Sequence, residues 1–205
     1  VTAGLAVGSK FSAVMVALPL LAAALFRLPD GPWARKALAA LRRVLVVGLV
    51  AVVTFVVTNP FAVIEFNSYV YQIYAQNQMV SGRMDAPYTR QYIGTIPYWY
   101  FIQQLGQWGL GWPLGLLAWA GLGWALVRFA LGRFSPALAV MLAWAFPYFL
   151  VTGLFHTKFL RYMAPLLPFL LVFGAAFAVS ALGWLRARFG RAGQEARQFV
   201  DQVRH

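Results

Sequence analysis

The chain has 205 residues, 61% of them hydrophobic and only 11% charged, with a mean hydropathy of +0.69. A soluble domain of this size could not cover its surface with so few charges, which leaves an integral membrane protein. The net charge of +12 would suit a nucleic-acid partner. Its basic residues, however, fall mostly in three short patches without the interleaved aromatics of a strand-binding surface, so none is expected.

Cysteine is absent and histidine occurs only at positions 156 and 205. The sequence therefore offers no disulfide framework, no metal site and no cofactor motif, although metal dependence of a longer protein stays open. Val1 opens inside an apolar stretch, and residues 1–26 have no basic n-region and run too long for a signal peptide. The chain is expected to be the C-terminal part of a longer multi-spanning protein.

Five apolar segments follow in order, at about Leu5–Phe26, Val44–Thr58, Trp112–Val127, Pro136–Leu154 and Met163–Leu185. Runs approaching about 20 apolar residues cross a hydrocarbon core of about 30 Å. The expectation is an all-α integral membrane fold of about five transmembrane helices plus an extracytoplasmic amphipathic interfacial helix. Residues 1–185 would form the membrane domain and 186–205 a basic cytoplasmic tail. The basic patches, Arg27 to Arg43, Arg128 with Arg133, and Arg186 to Arg204, belong in the cytoplasm by the positive-inside rule. That orientation, in a plasma membrane, sends residues 59–111 and 155–162 outside and leaves the C-terminus inside. The first segment is either a full span or the second arm of a short helical hairpin, with Lys10 toward the outer side in both cases.

Asn59-Pro60 ends the second segment, because proline lacks a donor and disfavours helix in the residue before it. Beyond it, Phe66, Tyr69, Val70, Ile73, Asn77 and Val80 recur at helical spacing among polar residues, which predicts the amphipathic helix. Tyr98, Trp99, Tyr100, Trp108 and Trp112 crowd where an aromatic belt belongs. Small residues at Gly4/Gly8, Gly111/Gly115 and Gly174/Ala178 mark expected helix contacts.

Two places combine positive charge with apolar surroundings and no neighbouring acid. In "FHTKFLRYMAPLLPF" (155–169), Lys158 and Arg161 would share a helix face with Tyr162 if the last span begins there. In "GLAVGSKFSAV", Lys10 interrupts an otherwise apolar run. Either these cations snorkel to the headgroups, or they hold a phosphate, to which arginine binds bidentately and lysine as a point charge. Outside acids are Glu65 and Asp85, weak candidates for a general base. Tyr88, Arg90, Gln91 and Tyr92 could contact a sugar or phosphate, or anchor the loop in the interface; His156 reads as an interfacial residue.

"GLAVGSKFSAVMVALPLL", "TNPFAVIEF", "YIGTIPYWY…WGLGWPLGLLAWAGL" and "KFLRYMAPLLPFL" resemble the later part of bacterial C-type membrane glycosyltransferases. Relatives of that family include protein O-mannosyltransferases and lipid A aminoarabinose transferases. The resemblance implies a polyprenyl-phosphate-sugar donor used on the extracytoplasmic side, with Lys158, Arg161 and Lys10 on the donor phosphate. The family's catalytic acid lies in a first outer loop, which would precede Val1; no residue here matches it. Other classes the same cations would serve are a transporter or flippase for lipid-linked glycans and a non-catalytic membrane subunit.

Overall fold

A computed structural model describes residues 1–203, with side chains described as far as Phe189. The fold is all α, with no strand among the described residues. Four helices are long and apolar enough to cross a membrane, and a shorter apolar helical segment spans Phe11–Phe26.

That shorter segment departs most from the expectation. Leu5–Phe26 is neither one continuous span nor a hairpin arm. It is α1 (Thr2–Ser9), an extended break at Lys10 (φ −157°, ψ 120°), a 3₁₀ turn over Phe11–Val16, and α2 (Ala17–Phe26). The one charged residue in the run is thus the one the helix opens around. A lysine kept inside an apolar span costs about 2.5–3.5 kcal/mol on insertion scales, and here it projects from the break instead.

Helix α3 (Trp33–Thr58) begins well before Val44, because "WARKALAALRR" consists mostly of strong helix formers behind Pro32. The first basic patch is therefore helical from Trp33 on. Arg43 uses this to donate from Nη1 to the carbonyls of Ala24 (3.3 Å) and Arg27, capping the open end of α2. Asn59-Pro60 ends α3 as expected. The amphipathic stretch forms a single turn, α4 (Phe61–Ile64), and then α5 (Phe66–Val80), separated at Glu65.

After a 3₁₀ turn at Pro87–Tyr92 comes α6 (Trp99–Gln104), which runs into a π-helical turn at Leu105–Gly109. Tyr98 introduces α6 in a γ-turn with φ 61° and ψ −53°, closed by Trp99 N–H on the Pro97 carbonyl. Such a conformation costs of order 1–3 kcal/mol and persists only when its surroundings hold it. They do: Tyr98 donates from its N–H to Gly153 O (3.1 Å) and from its hydroxyl to Leu150 O (3.0 Å). Its ring lies where a side chain at Gly153 would have to go. The loop is thereby pinned to the end of the next-but-one helix.

Helices α7 (Trp112–Ala130), α8 (Pro136–Gly153) and α9 (Leu167–Val203) make the packed part of the bundle. Ser135 caps α8 by accepting from Leu138 N–H, with Pro136 at the first helical position. Gly121 meets the backbone of Phe173 and Gly174, and a Cβ on Gly174 would lie 3.1 Å from Ala118 Cα. Of the expected small-residue contacts, Gly4 packs on Ala51 and Thr54 of α3, and Gly115 packs on Gly106. Gly111 instead makes a turn (φ +76°) with open space around it. Phe101, Leu105, Leu122, Tyr148, Met163, Leu166, Leu170 and Phe173 fill the centre.

The connections sort to two ends. Phe26 meets Phe134 edge-on, which joins the turns after α2 and α7 at what we call the basic end. At the other, the loop end, the 59–111 loop meets the end of α8 through Tyr98 and the 154–166 connection through His156 N–H to Val80 O (2.8 Å). Helix α9 continues past Leu185 without interruption, and the side chains of the expected tail beyond Phe189 lie outside the described residues.

Candidate functional site

The last helix does not begin where the cations are. Pro165 and Pro168 confine the chain to two 3₁₀ turns, Leu160–Tyr162 and Ala164–Leu166, before α9 starts at Leu167. Lys158 precedes both turns, and Phe159 is extended (φ −65°, ψ 129°). Lys158 and Arg161 therefore do not share a helix face. Lys158 is covered, with 3% of its surface exposed, whereas Arg161 is exposed.

The 155–162 connection is stitched to the end of α5. His156 N–H donates to Val80 O, Thr157 Oγ1 donates to Met79 O (2.9 Å), and the His156 ring lies against Gly82, whose φ of +78° suits glycine. Tyr162 is held from two sides: its carbonyl accepts from the Tyr148 hydroxyl (2.6 Å) and its own hydroxyl from Gln76 Nε2 (3.3 Å). Helices α5 and α8 thus fix one tyrosine between them.

Two cations converge on that tyrosine. Lys10 Nζ sits 5.3 Å from the centre of the Tyr162 ring, and Arg161 Cζ lies 5.9 Å from the same ring and 4.5 Å from that of Phe159. These are cation–π distances. Arg161 is close enough for its charge to bear on Lys10. Neither is neutralised, since the one ion pair among the described residues joins Asp85 to Arg90. The break at Lys10 therefore brings together residues separated by 151 positions in sequence.

Lys158 belongs to the same connection but points inward. Its amine donates to His156 O, two residues back, at 3.4 Å. That is the long limit of a hydrogen bond, and burial lowers the pKa of the amine.

The sugar-side candidates divide. Tyr88 stacks on Phe159 (6.2 Å, 23°), and Tyr92 meets Phe159 and Tyr100 edge-on. The Tyr92 phenol is pushed up by burial and then by Tyr100 and Tyr162, with Arg161 opposing, so it stays a hydrogen-bond donor at neutral pH. Arg90 faces away from this cluster's chemistry: its Nε and Nη2 grip both oxygens of Asp85, with Nε–Oδ1 at 2.8 Å. Gln91 is occupied with Tyr88 O (2.9 Å). Arg90 in turn holds the Asp85 carboxyl below the usual carboxylate range, which weakens it as a base. Glu65 is exposed at the α4–α5 break with no ion pair.

Phe159, the ring that joins the tyrosines to Arg161, was not among the sequence candidates. It sits between Lys158 and Arg161 in sequence, and its position there was the available signal. Gln76, Thr157 and Tyr148 also go unmarked in the sequence, because their partners lie in distant segments. Among the described residues no three histidine, aspartate or glutamate side chains cluster as a metal site.

The fold and this site define an all-α membrane protein with an unneutralised cation pair at one end of its bundle. Compared with known proteins, the chain matches no family model, no curated protein and no solved structure.

Proposed function

We propose that the chain is part of a glycosyltransferase that takes a sugar from a polyprenyl-phosphate donor at the extracytoplasmic face of the plasma membrane, with the basic end and C-terminus in the cytoplasm. The observation that carries this reading is the convergence of Lys10 and Arg161 on Tyr162 with no carboxylate paired to either. Like charges brought together repel, so the arrangement favours a ligand that carries negative charge. A membrane-embedded phosphate supplies it, with the guanidinium as a fork and the ammonium as a point charge.

In such a transfer an acceptor hydroxyl attacks the anomeric carbon, the bond from that carbon to the phosphate oxygen breaks, and the phosphate leaves with the electron pair. Lys10 and Arg161 stabilise the charge that develops there. Lys158 adds a covered amine whose protonated form becomes favourable once an anion is beside it. Tyr88, backed by Phe159, offers a ring face to a sugar, while Tyr92 is buried behind it. The acceptor's proton needs a carboxylate base. Glu65 is the loop-end acid without an ion pair among the described residues; Asp85 is held by Arg90.

A second reading has its own observation. Discontinuous helices whose ends face an anionic substrate group are a feature of transporters, and a lipid-linked glycan flippase would use the broken first helix, with Lys10 at the break, in that way. Reconstituted protein given a shortened isoprenyl-phosphate hexose separates the two. The enzyme releases the sugar or moves it to an acceptor; the flippase changes the leaflet in which the intact lipid resides. In either case Lys10→Ala and Arg161→Ala should each weaken binding of the isoprenyl phosphate about tenfold or more, the value of a charge-assisted contact. Unchanged binding in both variants would remove the phosphate site.

A further inference from the structure

At the basic end lies a second constellation that shares no residue with the cluster around Tyr162. Between the first arm (α1, its 3₁₀ turn and α2) and α3 runs an apolar groove of about 450 Å³, within the ~300–1,000 Å³ common for small-ligand sites. Val44, Val47, Gly48, Ala51, Val52 and Phe55 form its α3 wall. Arg43 is its one charged lining residue, and the bonds to Ala24 and Arg27 hold that side chain at the groove's end. Arg42 and Arg43 also line a shallow hollow that adjoins it. From Arg43 to Phe55 the helix rises about 18 Å, a little more than half of a ~30 Å hydrocarbon core and so the reach of one leaflet's acyl chains.

Charge decides what fits. Arg27, Arg35, Lys36, Arg42 and Arg43 crowd this end against a single acid, Asp30, and none of them is in an ion pair in the described residues. A second copy of the chain, inserted in the same orientation, would bring its own basic patch to the same depth, and like charges across an interface are costly. A lipid with an anionic head meets both needs, hydrocarbon for the groove and phosphate for the arginines, as basic pockets between membrane helices do.

We infer that the groove between the first arm and α3 is a binding site for an anionic phospholipid, one acyl chain lying along Gly48 and its phosphodiester resting on Arg42 and Arg43. The site serves a lipid of the leaflet at the basic end and does not depend on the function proposed for the loop end.

Gly48 makes the test clean. A Cβ there meets nothing within 4 Å, so Gly48→Leu fills the groove without a clash and replaces a poor helix former with a good one. The full chain in detergent micelles is titrated with phosphatidylglycerol or with phosphatidylcholine of the same acyl chains, and bound lipid is counted by native mass spectrometry. The expected result is one retained phosphatidylglycerol, bound about five times more tightly than phosphatidylcholine for each arginine engaged. Arg42→Gln, which disturbs no bond to α2, should lose about fivefold for phosphatidylglycerol alone. Gly48→Leu should lose both lipids while its melting temperature without lipid is kept. Equal retention of the two lipids by the wild type, or phosphatidylglycerol bound undiminished by Gly48→Leu, would overturn the assignment. A dimer that Gly48→Leu converts to monomer would overturn it too and make the groove an interface between copies.

Discussion

Helices α3 and α7 are both membrane-spanning by length and composition, yet they relate to the rest of the molecule in opposite ways. Helix α3 is the most apolar of the four spans and buries no residue. Helix α7 is the least apolar and buries Gly115, Ala118, Gly121, Leu122 and Ala125. In water the greasiest helix would be the most deeply buried. In a bilayer, lipid tails are as apolar as leucine, so association rests on close packing, and close packing rests on small side chains. Hydropathy therefore marks the surface a helix gives to lipid, and small residues mark the surface it gives to its neighbours.

The largest test of that contrast is Gly121→Leu. The new side chain would be directed at the Gly174 amide and the Phe173 carbonyl, backbone that cannot swing aside. Overpacking of this kind costs about 1–3 kcal/mol or more. Leu49→Ala on the exposed face of α3, which trims a side chain that packs on no neighbour in the core, should stay within about 0.5 kcal/mol of wild type. Unfolding from mixed micelles with increasing denaturing detergent measures both. Equal destabilisation by the two substitutions would erase the distinction between the helices.

The same opposition of open and covered surface runs through the cations, and pH exposes it. Burial holds the Lys158 amine below its ordinary 10.5. Between that lowered value and 10.5 the unfolded chain carries a proton that the folded chain lacks, so stability should rise as pH rises through this window and be lowest beneath it. Lys158→Met removes the titrating group from a covered site and should flatten the alkaline slope of melting temperature, with no loss of stability at neutral pH. A wild-type slope retained in Lys158→Met would place the titration elsewhere. If an isoprenyl phosphate binds beside Lys158, adding it should also reduce the slope in the wild type, because the anion favours the protonated amine.

The helices were legible in the sequence and the site only half so, for one physical reason. Span class and order follow from apolar run length, and helix ends such as Asn59-Pro60 and Ser135-Pro136 carry local chemistry that the structure keeps. What failed were inferences that extended helical periodicity through a place where it stops. The face shared by Lys158 and Arg161 assumed helix across Phe159, and two prolines a few residues on hold the chain in turns instead. Likewise Leu5–Phe26 looks continuous by hydropathy alone; Gly8 and Ser9, weak helix formers just before Lys10, were the local signal, and the Tyr162 ring lies opposite the lysine at the break. Groups singled out for being out of place were worth marking, since Lys10, Arg161 and Tyr162 do meet. The residues that join them, Phe159 and Gln76, were in no way unusual where they stood.

The smallest expected effect concerns the ion pair of Asp85 with Arg90, and it sharpens the contrast from the exposed side. Both side chains are more than half exposed, at 65% and 61%. The carboxyl titrates below its ordinary value because of Arg90, so the pair's contribution is present above the usual carboxylate range and fades as pH falls through the lowered value. In water such a pair contributes little, because solvent and salt screen it. Asp85→Asn should therefore leave the melting temperature at neutral pH and its salt dependence close to wild type. It should also leave the proposed sugar transfer intact, because a carboxylate gripped at both oxygens by a guanidinium is a poor proton acceptor. Loss of transfer in Asp85→Asn with donor binding unchanged would mean that Arg90 lets go of the carboxylate during turnover. Residues 85–92 would then be part of the reacting centre, and Glu65 would lose its claim to be the base at this end.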